Sequence, residues 1–214
     1  MGKVISELSM SLDGYIAGPH DGPENGLGDG GEALFRWYEA GDVPFVVPNG
    51  EMTFHVSAAS AALLAETYPT FGALVTGRRT FDITNGWEGR HTVDVPVVVV
   101  THEVPEAWVE EYVVGRGAPF TFVTEGVARA VAVAREIAGD KNVSVGAASL
   151  VQQCLSLGLL DEIQIDLAPV LLGGGVRLFD HLEGVPIALE RLRVVEGRDV
   201  THLVFRVRKG RREG

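Results

Sequence analysis

The chain alternates short runs of β-branched and aromatic residues with stretches whose apolar positions recur every three or four residues. Strand-like runs lie at 3–9, 71–75, 96–101, 120–124, 142–145, 162–169 and 201–207. Helical patterns fall between several of them, over 56–66, 80–84, 127–138 and 150–157, and the third places Val127, Val131, Ala134 and Ile137 on one face. Strands alternating with helices predict a largely parallel sheet covered on both faces. No helix-length amphipathic pattern separates the last two strand runs, so that end of the sheet is expected to be antiparallel. The fold class is therefore α/β.

Two regions depart from the alternation. Segment 19–50 is rich in Gly and Pro, carries Asp21, Glu24, Asp29, Glu32, Glu39 and Asp42 against the single base Arg36, and encloses Phe35, Trp37, Tyr38 and Phe45. A loop of this length is a functional wall or a disordered segment, and its aromatics argue for packing. A lid or substrate wall, a dimer contact and a plain excursion are the three readings it allows. The end of the chain, 206–214, is basic and reads as a solvated, partly frayed tail.

Composition narrows the functional classes. With 214 residues, the chain is long enough for one substantial domain with a small insertion. A formal charge of −11 argues against a general nucleic-acid or anionic-membrane surface. No run approaches the roughly 20 apolar residues of a membrane span, and no signal-peptide pattern opens the chain, so a cytoplasmic protein is expected. The single cysteine, Cys154, lies in an apolar helical pattern and is expected to be a packed core thiol. Asn142-Val143-Ser144 matches a glycosylation acceptor but falls in a buried strand run, so the match is a coincidence.

Candidate chemistry gathers where apolar strands stop. The run 71–75 breaks into Thr76-Gly77-Arg78-Arg79-Thr80-Phe81. Gly77 permits close approach of a ligand, Thr80 can cap the following helix, and Arg78 and Arg79 offer charge-assisted contacts to phosphate oxygens. The alternative is a strand-to-helix turn with two solvated arginines. Two further ends are similar: Thr101 and His102 after 97–100, suited to a ribose or its phosphate, and Gly146, Ala147, Ala148 and Ser149 before a helix, suited to a pyrophosphate. Ligands of open α/β sheets collect outside the carboxyl ends of strands, so these turns are expected to converge on one crevice.

Segments 9–19 (SMSLDGYIAGP), 74–81 (LVTGRRTF), 97–102 (VVVVTH), 143–155 (VSVGAASLVQQCL) and 160–179 (LDEIQIDLAPVLLGGGVRLF) together resemble the dihydrofolate reductase-like superfamily, and within it the reductase domain of bacterial riboflavin biosynthesis. The resemblance covers nearly the whole chain outside 19–50. It implies a three-layer sandwich over 1–214, with a mostly parallel central sheet, an antiparallel C-terminal end, helices on both faces and an insertion at about 19–50. It implies NADPH as cofactor, a small-molecule substrate and a homodimer. Carried over residue by residue, Gly77, Arg78, Arg79 and Thr80 would hold the phosphate end of NADPH, with Thr101 or His102 near the 2′-phosphate. Val145, Gly146, Ala147, Ala148, Ser149 and Leu150 would form the pyrophosphate turn. Folate reductases commonly show two adjacent glycines where this chain has Gly146-Ala147, and alanine is tolerable there if its φ is negative. Ser9, Asp13, Gly14, Ile16 and Ala17 would line the nicotinamide side, with Asp13 the candidate catalytic residue, although Asp13-Gly14 also reads as a simple turn. Gly173, Gly174 and Gly175 with Arg177 would bind a substrate phosphate, or else form a flexible connection between strands.

One departure bears on the substrate. Classical folate reductases carry a carboxylate on the helix before the 76–81 turn, and the matching position here falls near Ala61. Glu66 comes about a turn and a half too late to face the same way. Folate reduction is disfavoured. The resemblance implies reduction of the ribosyl group of an aminopyrimidine phosphate; a reductase of another small molecule and a non-catalytic cofactor-binding module are the alternatives. His and Cys spacings show no zinc-ligand pattern, so no metal is expected.

Overall fold

The computed structural model describes residues 2–182 and 186–209. In chain order the strands are β1 (Val4–Ser11), β2 (Tyr15–Ala17), β3 (Val43–Val46), β4 (Thr53–Val56), β5 (Phe71–Gly77), β6 (Val97–Val100), β7 (Phe120–Val123), β8 (Asn142–Val145), β9 (Glu162–Ala168), β10 (Val176–Arg177), β11 (Leu189–Gly197) and β12 (Val200–Val207). The helices are α1 (Ala58–Thr67), α2 (Arg78–Ile83), the short α3 (Glu106–Trp108), α4 (Val127–Ala138) and α5 (Ala148–Ser156). A 3-10 helix, Gly31–Glu39, precedes β3.

Eight strands form the central sheet in the order β11-β12-β9-β1-β8-β5-β6-β7. From β9 to β7 every neighbouring pair is parallel, whereas β12 runs antiparallel to both β9 and β11. The expected mostly parallel sheet with an antiparallel C-terminal end is what the structure shows. Strands β2 and β10 pair separately, as do β3 and β4.

The two faces of the sheet differ in chemistry. One carries Val4, Ala73, Val75, Val98, Val143, Val145, Ile163 and Ile165 into an apolar core with α4 and α5. Cys154 is fully buried in that core, where burial pushes its thiol pKa up to about 12. On α4 the buried stripe is Val127, Ala130, Val131, Ala134 and Ala138, whereas Ile137 is exposed because it falls at the margin of the helical period.

The opposite face is covered by α1, α2 and the 3-10 helix. Two apolar clusters hold them down: Leu74, Phe81, Val97, Val99 and Phe120 under α2, and Trp37, Val56, Leu64 and Val200 under α1 and the 3-10 helix. The 3-10 helix buries Gly31, Leu34 and Trp37, a spacing of three that matches its three residues per turn. Between the two clusters the sheet face is polar, and that gap holds the site described below.

The basic end of the chain is more ordered than a frayed tail. Arg206 and Arg208 pair with Glu190, and Lys209 with Asp161. The part at 210–214 lies outside the described residues.

Trp37 fastens segment 19–50 to the sheet, since its ring is 1% exposed and its Nε1 donates to Ser9 Oγ at 3.2 Å. Trp37→Ala is expected to cost about 3–5 kcal/mol, as for other buried Trp truncations. Chemical denaturation checks this, and a loss below about 1 kcal/mol would show that the segment is held elsewhere.

Candidate active site

Two cavities lie side by side over the carboxyl ends of the parallel strands. The outer one, about 730 Å³, is walled by the turns after β5 (Gly77, Arg78, Arg79, Thr80), β6 (Thr101, His102), β7 (Thr124, Gly126) and β8 (Ala147, Ala148, Ser149, Leu150). Asp21, Gly26 and Leu27 close it from segment 19–50. The inner one, about 350 Å³, reaches the polar sheet face at Glu7, Ser9, Thr76, Ser144 and Asp166, under Phe35, Tyr38, Tyr68 and Trp87. Leu8, Ile16, Thr80 and Ala147 border both.

The convergence expected from the strand-end motifs is therefore present, although individual residues differ from expectation. Helix α2 begins at Arg78, so Thr80 sits inside its first turn and no side chain caps it. The Gly77 φ of −90° is open to any residue, and the value of glycine there is space. A Cβ on Gly77 or Gly146 would meet no protein atom nearer than 3.9 Å, in ordinary contact with Leu150 or Leu74. Arg78 Nε donates to Asp82 at 2.7 Å and its Nη1 to the Glu103 carbonyl at 2.9 Å. Arg79 donates to both carboxylate oxygens of Asp21 and to its carbonyl, through Nε and Nη2. A guanidinium has five N–H donors, so each arginine keeps donors for a ligand. Thr101 Oγ1 donates to the Glu103 carbonyl at 2.7 Å and accepts from the Glu103 amide, which fixes the turn that carries His102.

Ala147 is the strained residue of the crevice. Its φ is +80° and ψ 134°, not the negative φ that would suit alanine, and it stands directly before α5. Such backbone is nearly restricted to glycine and costs an alanine of order 1–3 kcal/mol.

Of the other expected site residues, Val145, Asp13, Gly173, Gly174, Gly175 and Arg177 lie outside the cavities. Val145 is fully buried in the apolar core, facing away from both. Ser9 lines the inner cavity and Ala17 the outer. Asp13 lines neither, because its carboxylate is spent on the Gly-rich turn: it accepts from the Leu172 amide at 3.1 Å, the Gly173 amide at 2.7 Å and the Ser11 hydroxyl at 2.6 Å. The Ser11 hydroxyl first, then the Gly173 and Leu172 amides, hold the Asp13 pKa down at about 2 against desolvation. The turn wraps tightly on β2, and a Cβ on Gly175, whose φ is +119°, would stand 2.0 Å from the Ala17 carbonyl oxygen. Arg177 stacks on the Tyr15 ring at 4.8 Å. Residues 172–177 thus form a strand connection whose first amides are filled by Asp13.

Sequence reasoning missed the acid cluster at the cavity floor. Pairing sets Glu7 beside Gln164, Ser9 beside Asp166, and Asp166 beside His202, and residues paired across a sheet share a face. Gln164 Nε2 donates to Glu7 Oε1 at 3.3 Å and to Asp166 Oδ1 at 3.2 Å. His202 Nδ1 lies 2.6 Å from Asp166 Oδ1, and its Nε2 lies 2.9 Å from Ser60 Oγ on α1. Burial first, then the Asp166 charge, pushes Glu7 well above the usual carboxylate range. Burial first, then the Asp166 charge, pushes the Tyr38 phenol upward, and burial first, then Tyr38, pushes that of Tyr68. Burial lowers His91 to about 4, and its Nδ1 accepts from the Val93 amide, which leaves the proton on Nε2. The available signal was the alternation Glu162-Ile163-Gln164-Ile165-Asp166: on a strand with neighbours on both sides, the polar set has no solvent to face.

Near Ala61, where the folate pattern would place an acid, α1 presents Ser60 to His202, and Glu66 pairs outside with Arg193. The carboxyl groups that reach the inner cavity, Glu7 and Asp166, stand on the sheet and not on the helix.

The fold is an α/β domain whose mostly parallel sheet carries a two-chambered crevice over its strand ends. The chain belongs to the RibD C-terminal domain family, which it matches over residues 2–202. Its fold is similar to that of a candidate riboflavin biosynthesis protein from Shewanella sp. PV-4, at a TM-score of 0.66 and 23% identity, covering 97% of this chain and 99% of that one. It is also similar to a pyrimidine reductase-like protein from Corynebacterium diphtheriae, at a TM-score of 0.58 and 13% identity over 98% and 93% of the two chains. RibD of Acinetobacter baumannii matches at a TM-score of 0.59 and 15% identity; 98% of this chain is covered, but only 59% of that protein. No curated protein matches.

Ala147→Gly is expected to raise stability by about 1 kcal/mol, the relieved strain exceeding the added flexibility of the unfolded chain. Urea denaturation midpoints check it; a loss of stability would contradict the strained backbone.

Proposed function

We propose that this protein is an NADPH-dependent reductase of a small molecule, with the dinucleotide in the outer cavity and the substrate in the inner one. The observation that carries the reading is the junction of the two cavities at Leu8, Ile16, Thr80 and Ala147, above four adjacent parallel strand ends. The cofactor, when bound, supplies a hydride. The residues present fit it: Arg78, Arg79 and His102 supply donors for the 2′-phosphate end, and the first amides of α5, at Ala148 and Ser149, face the same cavity for a pyrophosphate. Gly77 keeps the space beside it clear of a side chain.

In the inner cavity Phe35, Tyr38 and Trp87 exclude water, and Glu7 holds a proton on a carboxyl oxygen facing the substrate. Asp13 fixes the turn at 172–175 that leads into Val176 at the wall of the outer cavity. Membership of the family makes the phosphoribosyl-aminopyrimidine of riboflavin biosynthesis one candidate substrate. A different small molecule is favoured by a specific observation: among the described residues, no Lys or Arg lines the inner cavity, and the amides of Leu172 and Gly173 are already filled. The reading carries with it the family expectation of a cytoplasmic homodimer.

Fluorescence titration tests the cofactor assignment. NADPH is expected to bind at least tenfold more tightly than NADH, since a charge-assisted contact contributes about 1.5–3 kcal/mol. Replacing Arg78 and Arg79 together by alanine should narrow that gap. Equal affinities in the unmodified protein would remove the case for 2′-phosphate recognition.

A further inference from the structure

The floor of the inner cavity has a charge character that family membership does not explain. Glu7 and Asp166 both reach it, bridged by the Gln164 amide. The other ionisable groups along its lining are Tyr38 from the 3-10 helix, Tyr68 beyond α1 and the neutral His91 before β6, with His202 behind Asp166 on β12. Among the described residues it has no Lys or Arg to balance them.

A second, independent feature points to a missing partner. Thr76 Oγ1 is buried, in a residue 1% exposed, and has no hydrogen-bond partner among the described residues. Thr76 shares the cavity face of β5 with Leu74. Buried hydroxyls are nearly always paired, so this one is set for a ligand group. Phe35, Tyr38 and Trp87 supply flat aromatic walls.

We propose that the inner cavity is a binding site for a planar nitrogen base (an amidine, a guanidine or a protonated amino-heterocycle) held from below by Glu7 and Asp166, and that it rejects phosphorylated ligands. This names the substrate class of the proposed reductase and rests on that reading for its part in turnover, though not for binding itself. A cationic N–H donor meets carboxyl oxygens with charge-assisted hydrogen bonds, and its flat face meets aromatic rings favourably. A phosphate would face the Asp166 carboxylate with no Lys or Arg in the lining to hold it, which disfavours it. Burial and the Asp166 charge favour the protonated form of Glu7, whereas a cation arriving above it favours the ionised form, so binding releases a proton.

Calorimetric titration of the full chain near neutral pH, in two buffers of different ionisation enthalpy, tests this with benzamidine, its near-isostere benzoate, and phenyl phosphate. Benzamidine is expected to bind at least tenfold more tightly than either anion and to release a fraction of a proton. Glu7→Gln should lower its affinity tenfold or more and abolish the release. The ranking of the three probes on the unmodified chain decides the matter even if that variant folds poorly. An anion that matches or beats benzamidine, benzamidine binding without proton release, or no binding at millimolar concentration overturns the proposal. Preference for benzoate in a chain that binds NADPH refutes this site alone; preference for benzamidine in a chain that binds no NADPH upholds this site and refutes the reductase reading.

Discussion

The common register of β1, β9 and β12 is the constraint on which the rest of this structure turns. It sets Glu7, Gln164, Asp166 and His202 side by side on one face near the middle of the sheet. Taking carboxyl groups out of water costs several kcal/mol each unless they are paired or protonated, and both remedies appear here. Asp166 is held by His202 and Gln164, while burial and the Asp166 charge favour the protonated form of Glu7. His202 in turn requires Ser60, which places α1, and Ser9 accepts from Trp37, which places the 3-10 helix. The elements over the polar face are thus positioned by the groups they must satisfy as well as by apolar area. A one-residue slip in any of the three strands would turn these groups into the apolar core on the other side.

That arrangement separates two tasks in one crevice. Strand-end turns, Gly77 and two arginines form the outer chamber, where geometry is supplied largely by backbone. Acids, phenols and aromatic rings form the inner chamber, which is lined largely by side chains from the sheet and from segment 19–50. Ala147 stands at the junction with an unfavourable φ, the sort of local strain that a packed surrounding maintains at a functional position.

Much of the scaffold was legible from pattern. The aliphatic run at 97–100 and the alternation of strands with helices gave the parallel sheet, and the turns at 77–80, 101–102 and 146–150 meet as expected. The absence of a helical period between β9 and the end of the chain foretold the antiparallel strands, though not the edge strand β11, whose exposed and mixed residues carry no clear alternation. The 3-10 helix escaped notice because its buried Gly31, Leu34 and Trp37 repeat every three residues inside a Gly-rich stretch. The acid cluster escaped for a different reason. Polar alternation in β9 and isolated Glu7 and His202 look like solvent-facing positions until strand order shows that they lie under a roof. Asp13 drew attention by its motif, yet its neighbours in space are amides 159 and 160 residues away, which no local pattern reveals.

The account stands on one claim, that the outer cavity holds a dinucleotide whose reactive end borders the acid-floored inner cavity. A crystal structure grown with NADPH tests it most directly. Density is predicted to run from the turns at Arg78 and Thr101, past the start of α5, to Ile16 and Ala17, ending beside Ala147 at the mouth of the inner cavity. Cofactor bound elsewhere on the molecule, or no density at saturating NADPH, would contradict it.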